Sequence, residues 1–251
     1  MQYIALAITP GIVISLYIFY KDSYNREPVL NLVVSFILGA LSIIPVFFIE
    51  RKAGHSFIDG SVMGVALFSF IIVALTEEAM KFIVVRTYAW NLKSFDEPLD
   101  GIVYTVMVGM GFATVENIMY VLAYADYGRG FEIGLKRMFL SVPAHATFAV
   151  VMGYFMGKAR LARKHKLKFQ LAGLLTAVFF HGTYDFFLYL NQFSMLGKTW
   201  SAGLLSAGAI TSFLISLVLS RKLFNTDSAI SARIFRKKRK KKINPQSEEK
   251  K

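Results

Sequence analysis

Seven long apolar segments restrict the fold of this 251-residue chain more than any other feature. Each is long enough for a helix to cross about 30 Å of hydrocarbon at about 1.5 Å per residue. Because backbone polar groups in lipid must be satisfied internally, and no segment alternates with strand periodicity, we predict helices and not barrel strands. The segments cover residues 3–20, 29–49, 62–90, 101–124, 138–157, 170–190 and 202–223.

The predicted fold class is therefore an all-α, polytopic transmembrane helical bundle in the cell membrane. The third segment is long enough for one tilted helix or for a span with a short extra element, so seven or eight spans are expected. Apolar residues make up 55% of the chain and charged residues only 18%, which is too little charge for a soluble domain of this length. The absence of cysteine excludes disulfides, thiolate metal sites and a cysteine nucleophile.

The distribution of basic residues predicts the orientation of the bundle. With the N-terminus outside, 22 of the 29 Lys and Arg residues fall on the cytoplasmic side, which favours an N-out, C-in topology. The six on the other side are Arg51, Lys52, Arg129, Lys136, Arg137 and Lys198. The first span has no basic leader or obvious cleavage site, so we expect it to be retained.

Residues 225–251 hold ten Lys or Arg and three Asp or Glu, and thus +7 of the net charge of +13. We predict a membrane-embedded domain over residues 1–224 and a basic, disordered cytoplasmic tail over residues 225–251. Basic clusters beside a membrane span bind anionic lipid, so lipid, and not nucleic acid, is the expected partner of the tail.

Ionisable residues inside the third segment require an explanation. Each charged group at the bilayer centre costs roughly 2.5–3.5 kcal/mol on insertion scales, yet Glu77, Glu78 and Lys81 occur together there. Helical spacing brings Lys81 within reach of both carboxylates, so this face must point into protein or a water-filled cavity. A buried ion pair that only holds helices together is the simplest alternative. Glu50 lies at the end of its segment, where charge at the membrane interface costs little.

Three later segments carry polar residues of their own. Glu116 and Asn117 follow a run of small residues in the fourth segment, and His145 lies in the fifth. The sixth contains His181 and Asp185, which share a helical face at a spacing of four residues. In the N-out topology these groups fall at similar depths, in the middle to outer half of the membrane. Such agreement is not expected of scattered polar substitutions.

This set of side chains suits the activation of water. A buried carboxylate is a suitable general base, and an imidazole oriented by Asp185 can stabilise an oxyanion and protonate a leaving group. No Ser or Cys nucleophile stands beside a base. These residues alone do not decide whether a cofactor takes part. Zinc is the alternative, because His and Glu residues bind it with an open position for water, and its ligands would be Glu77, Glu116, His145 and His181.

The ordered set over residues 62–190 resembles the PrsW family of intramembrane proteases, within a superfamily that includes the CAAX-prenyl proteases. The matching motifs are Glu77-Glu78-x-x-Lys81, Gly111-Phe112-x-x-x-Glu116-Asn117, an isolated His145, and His181-x-x-x-Asp185. The resemblance implies glutamic-type hydrolysis of a peptide bond within the membrane without a cofactor, the founding activity being cleavage of an anti-sigma factor. It implies that Glu77 activates water, that Glu78 and Lys81 adjust its charge, and that His181 and Asp185 form the oxyanion site. Glu116 stands where CAAX proteases have histidine.

The sequence therefore predicts an intramembrane endopeptidase that acts on a single-span or membrane-tethered protein. The catalytic candidates are Glu77, Glu78, Glu116, His145 and His181, and the supporting candidates are Lys81, Asn117 and Asp185. Two other functional classes remain open at this stage. A non-catalytic scaffold that binds transmembrane helices would tolerate Glu77→Gln, and a proton-coupled transporter would use the same buried groups as a relay. The transporter has less support, because no pair of matching halves with broken helices is apparent.

Overall fold

The computed structural model describes residues 2–57, 61–193 and 201–243, and every regular element within these ranges is helical. The elements are α1 (Gln2–Lys21), α2 (Val29–Leu41), α3 (Ile43–Phe57), α4 (Val62–Leu67), a π-helical segment (Phe68–Ala74), α5 (Leu75–Thr87), a 3₁₀ turn (Ala89–Asn91), α6 (Pro98–Ala125), α7 (Gly130–Phe139), α8 (Ser141–Leu161), α9 (Lys166–Phe193) and α10 (Ala202–Ile243).

Seven stretches of helix are long and apolar enough to cross a membrane, which confirms the predicted bundle. The second combines α2 and α3, the third runs from α4 to the 3₁₀ turn, and the fifth combines α7 and α8. Large apolar side chains on the outer helices are exposed, as expected of surfaces that face lipid; examples are Leu30, Phe48 and Val218. The N-out, C-in orientation remains a prediction.

The third span is continuously helical from Val62 to Thr87 and ends with the separate 3₁₀ turn Ala89–Asn91, so it is one span followed by a short extra element. It contains the seven-residue π-helical segment Phe68–Ala74 directly before the helix that bears Glu77 and Glu78. π-Helical geometry is rare and is frequently found at functional sites. In this chain the residues that follow are the two buried carboxylates.

The central element is α6, whose residues from Pro98 to Thr114 are all buried. It packs against α1, α2 and α8, and α8 in turn packs against α9 and α10. Small residues allow close helix approaches: a methyl group added at Gly111 would overlap the backbone of α2, and one added at Gly157 would overlap Pro98. These contacts hold α6 and α8 close enough for their polar side chains to meet.

The last helix differs from expectation. We predicted disorder for residues 225–251, but α10 continues through this region to Ile243, and residues 244–251 lie outside the described ranges. Its extension contacts the segment before α6, where Lys238 Nζ lies 2.8 Å from Asp96 Oδ2 and the Ser231 hydroxyl accepts a hydrogen bond from the Leu99 N–H at 3.3 Å. These tertiary contacts order a segment that its composition alone does not favour.

Candidate active site

The two carboxylates and the lysine of α5 form one buried cluster. Lys81 Nζ lies 3.0 Å from Glu77 Oε2 and 2.8 Å from Glu78 Oε1. The three residues are 3%, 1% and 2% exposed in the order Glu77, Glu78, Lys81, so water contributes little to their solvation. Because removing one partner from such a buried pair leaves an uncompensated charge, the three side chains constrain one another strongly. The ring of Phe112 lies under Nζ, with its centroid 4.1 Å away.

His145 on α8 connects this cluster to Glu116 on α6. Its Nδ1 lies 3.2 Å from Lys81 Nζ, and its Nε2 lies 2.9 Å from Glu116 Oε2. An ammonium group only donates and a carboxylate only accepts, so the hydrogen bonds are satisfied when Nδ1 accepts and Nε2 carries the proton. Both nitrogens of His145 are therefore occupied by protein groups.

His181 on α9 contacts a carboxylate with each of its ring nitrogens. Nδ1 lies 2.9 Å from Glu78 Oε1, and Nε2 lies 3.1 Å from Asp185 Oδ2. Two carboxylate partners require two N–H donors, so this arrangement favours the imidazolium form. The ring stacks on Phe148 at a centroid distance of 5.1 Å, which fixes its plane. Nε2 also lies 4.0 Å from Glu77 Oε2, a separation that one water molecule can bridge.

The structure thus joins seven of the eight candidate residues from four helices in one polar network. The eighth, Asn117, faces away from the carboxylate pair. Its amide N–H donates to the Ala7 carbonyl at 2.9 Å, and its Oδ1 accepts from Arg137 Nε at 3.0 Å. Asn117 therefore ties α1 and α7 to α6 and contacts the network only through Arg137.

Arg137 is a site residue that the sequence analysis assigned to an external loop. It lies in the last turn of α7, where Nη2 is 2.7 Å from Glu116 Oε2 at an angle that makes the contact an ion pair and not a directed hydrogen bond. Its guanidinium carbon lies 4.0 Å from the centroid of the Tyr120 ring. A helical stripe of Gly130, Gly134 and Arg137 was the available signal, because small residues at this spacing indicate a face packed against another helix.

Glu50 is a second residue whose position differs from the expected interface. With Ile43, Val46 and Phe47 it forms an i, i+3, i+4, i+7 stripe of α3 that lines a cavity of about 310 Å³. Its Oε1 is buried and has no hydrogen-bond partner among the described residues. The helical stripe was readable in the sequence, but its apolar members suggested contact with lipid.

Two cavities meet at the polar network. The cavity of about 310 Å³ lies between α3 and α6 and is also lined by Glu77 and Glu116. A second, of about 480 Å³, is lined by Glu116, His145, His181 and Asp185. Because Glu116 lines both, a reactant that enters from either side meets the network at the level of Glu116.

The donor atoms of Glu77, Glu78, His145 and His181 lie within 4.8 Å of one another, and this is the one group of its kind in the described residues. The zinc ligands suggested from the sequence included Glu116. In the structure the cluster of four donors contains Glu78 instead of Glu116. Glu116 is instead held by His145 and Arg137.

Comparison with known proteins extends these observations. A family profile described as PrsW family intramembrane metalloprotease matches residues 27–219. The chain is 37% identical over 207 residues to Protease PrsW of Geobacillus kaustophilus, an alignment that covers 79% of this chain and 88% of that protein. It is 37% identical over 186 residues to Protease PrsW of Bacillus subtilis, covering 74% and 82% of the two chains. Protease PrsW of Clostridioides difficile is 29% identical over 238 residues, covering 94% and 97%.

The word metalloprotease in the family description implies a metal ion, and the four clustered donors are the candidates to hold one. Their types suit zinc, but their arrangement does not. Lys81 Nζ already contacts Glu77, Glu78 and His145 at 2.8–3.2 Å, so a cation of the protein itself occupies the space between three of the four donors. As arranged here, the residues do not fit a metal ion.

No solved structure matches the chain, so its assignment depends on sequence similarity and on the geometry above. The matched profile covers well over half of the chain, and close relatives align over most of their length. The seven membrane-spanning helices agree with an enzyme that is embedded in the bilayer. The chain belongs to the PrsW family of intramembrane proteases.

Proposed function

We propose that this protease hydrolyses a peptide bond of a single-span or membrane-tethered protein, with Glu77 as the group that activates water. One observation carries the proposal. In the part of the chain that the structure describes, four residues form the donor cluster. Of these four, only Glu77 also lines the cavity between α3 and α6. A general base must reach both the reactant and the catalytic network, and Glu77 meets both requirements.

In the proposed reaction, a water molecule hydrogen-bonded to Glu77 attacks the carbonyl carbon of the scissile peptide bond. Its proton passes to the Glu77 carboxylate as the tetrahedral intermediate forms. The same proton then passes to the leaving nitrogen as the C–N bond breaks, so the products are a carboxylic acid and an amine. General acid–base transfer of this kind contributes about 10²–10⁴-fold to a rate.

His181 is the proposed oxyanion stabiliser. The contacts of its ring nitrogens with Glu78 and Asp185 favour the imidazolium, which places a positive charge 4.0 Å from Glu77 Oε2. The ring N–H groups of His181 donate to Glu78 and Asp185, so His181 acts through the positive charge of its imidazolium. A positive charge fixed beside the developing oxyanion stabilises the transition state more than the substrate, because the negative charge appears only there.

His145, Glu78 and Lys81 are proposed as positioning residues. Both nitrogens of His145 are occupied, so its role is to hold Lys81 and Glu116 in place. Lys81 in turn offsets the charges of Glu77 and Glu78. This assignment is glutamic-type, as the resemblance to the CAAX-protease superfamily implies, and it differs from the simplest sequence interpretation in which His145 contacts water.

We further propose an anti-sigma-factor-like substrate, that is, a protein held in the membrane by one span. The polar network lies within membrane-spanning helices, so a peptide bond must come to it through the bilayer or from its edge. The cavity between α3 and α6 is lined by apolar side chains such as Val46 and Met119, which suits an apolar segment beside the scissile bond. Anionic lipid is the proposed partner of the basic tail.

The experiment is cleavage by purified protein reconstituted in lipid vesicles with single-span test substrates, including an anti-sigma-factor-like one. Glu77→Gln keeps the shape and the ability to accept from Lys81 but removes the base, so cleavage should fall by at least about 10²-fold. The matched control is Glu132→Gln, because Glu132 is an exposed glutamate whose partners are the equally exposed Arg129 and Lys136. Equal cleavage by wild type and Glu77→Gln would refute the proposal.

A further inference from the structure

We infer that the ammonium group of Lys81 occupies the position that a divalent metal ion would take in this site, and that its removal creates a metal site. Three acceptor atoms surround Nζ: Glu78 Oε1 at 2.8 Å, Glu77 Oε2 at 3.0 Å and His145 Nδ1 at 3.2 Å. All three residues belong to the four-residue donor group. The arrangement is that of a metal centre in which a lysine replaces the ion.

The ammonium and a metal ion exclude each other on geometric grounds. Zinc binds carboxylate oxygen and imidazole nitrogen at about 2.0–2.2 Å, whereas an N–H donor contacts the same atoms at about 2.8 Å. A cation placed among these three acceptors would therefore lie within contact distance of Nζ and would compete for the same lone pairs. Two positive centres this close repel strongly in a buried site.

The surroundings of Lys81 are built for a single cation. Phe112 closes the remaining side of Nζ with its ring face, which attracts a positive charge. The fourth donor, His181, is directed toward Glu78 and Asp185 and is not free to approach the centre. The side chain of Lys81 is 3% exposed, so the ammonium group is solvated mainly by these protein groups.

Removal of the ammonium group makes its position available to a metal ion. Lys81→Ala leaves two buried carboxylates and the Nδ1 of His145 without their shared donor. Unpaired buried carboxylates are costly, and oxygen and nitrogen ligands at this spacing are the set that zinc binds. We expect the variant to recover the lost interaction by taking up a divalent cation.

The test measures bound metal in purified, untagged protein. Wild type, Lys81→Ala and Lys136→Ala are each equilibrated with a small excess of zinc and desalted, and zinc per chain is determined by mass spectrometry. Lys136 is the matched control, since it pairs with a glutamate at an exposed position. We expect Lys81→Ala to retain about one zinc ion per chain, and wild type and Lys136→Ala to retain no stoichiometric zinc.

Two further variants keep the test decisive. Lys81→Ala combined with Glu77→Gln should lose the gained zinc, which assigns the ion to this donor set. Lys81→Ser, whose short side chain also leaves the position of Nζ open, replaces Lys81→Ala if the latter prevents folding. Cobalt in place of zinc adds an absorption spectrum that reports four-coordinate binding.

Two results would overturn the inference. One is a stoichiometric zinc ion in wild type that Glu77→Gln removes, because metal and Lys81 would then coexist. The other is a folded Lys81 variant that holds no more zinc than wild type. The readout is bound metal, so the outcome is independent of whether the protein cleaves the proposed substrate.

Discussion

The ion pair between α7 and α6 allows a quantitative prediction. Arg137 and Glu116 have side chains only 13% and 14% exposed, and Arg137 Nη2 lies 2.7 Å from Glu116 Oε2. Arg137→Met keeps most of the apolar part of the Arg137 side chain but removes its charge. The Glu116 carboxylate then keeps its hydrogen bond with His145. The change tests whether α7, which the sequence analysis did not include in the site, stabilises it.

The expected magnitude follows from burial and geometry. Breaking a buried pair by removing one partner costs roughly 3–5 kcal/mol. The contact of Nη2 is not a directed hydrogen bond, but the Nε–H donates to Asn117 and the guanidinium covers the Tyr120 ring. We therefore expect Arg137→Met to lower the free energy of unfolding by about 3 kcal/mol.

The assay is reversible unfolding in mixed micelles, applied as a double-mutant cycle with Glu116→Gln. Residues in one ion-pair network show interaction energies of about 0.5–3 kcal/mol, so the double variant should be less destabilised than the sum of the single ones. Arg129→Met is the control, because Arg129 pairs with Glu132 where both side chains are about half exposed. It should change stability little.

The reasoning would be refuted by either of two results. In the first, Arg137→Met is no more destabilised than Arg129→Met. In the second, the cycle is additive, which would mean that the two residues do not interact in the folded protein.

Three further predictions concern the oxyanion site, the last helix and Glu27, which lies between α1 and α2. His181→Gln should lower kcat by about 10²–10³-fold with normal membrane insertion, because it removes the positive charge beside the developing oxyanion, and we expect that charge to contribute as much as one oxyanion donor. Deletion of residues 236–251 should reduce abundance or binding to anionic vesicles more than turnover. The reason is that Lys238, in this segment, contacts Asp96, which is not a member of the polar network. Burial raises the pKa of Glu27 above its ordinary 4.5, so its contribution to stability is present at low pH and is lost as the pH rises. Glu27→Gln should therefore gain stability relative to wild type as the pH rises above about 4.5.

Each of these predictions has its own control and contrary result. His165→Gln changes an exposed loop histidine, and an unfolded His181→Gln protein would make His181 structural. Loss of turnover by a correctly inserted truncation would contradict the assignment of the tail. A stability difference between wild type and Glu27→Gln that is the same at pH 5 and pH 8 would show that Glu27 does not titrate differently on folding.

Much of this architecture was predictable because membrane insertion imposes simple rules. Apolar length gave the seven helices, and the small residues Gly111 and Gly157 indicated where helices approach closely. The cost of intramembrane charge singled out Glu77, Glu116, His145 and His181 before any coordinates, and the structure connects them. Their catalytic roles remain proposals.

The parts that were not predictable depend on tertiary contacts. Arg137 and Glu50 lie near the ends of apolar segments, where charge is inexpensive, so no energetic anomaly marked them. Helical spacing on α5 predicts two of the three acceptors around Lys81, whereas the third, His145, comes from α8 and depends on how that helix packs. The basic extension of α10 is helical because it packs on the segment before α6, whereas its composition alone favoured disorder.

The most direct test of the central claim compares new N-termini of membrane proteins in cells that express wild type or Glu77→Gln at equal levels. The account predicts termini that appear only with wild type and that map within or just outside a membrane span. Such termini would identify the substrate and establish proteolysis together. Termini that appear equally with both proteins, in cells shown to contain a substrate that wild type cleaves, would contradict the role of Glu77.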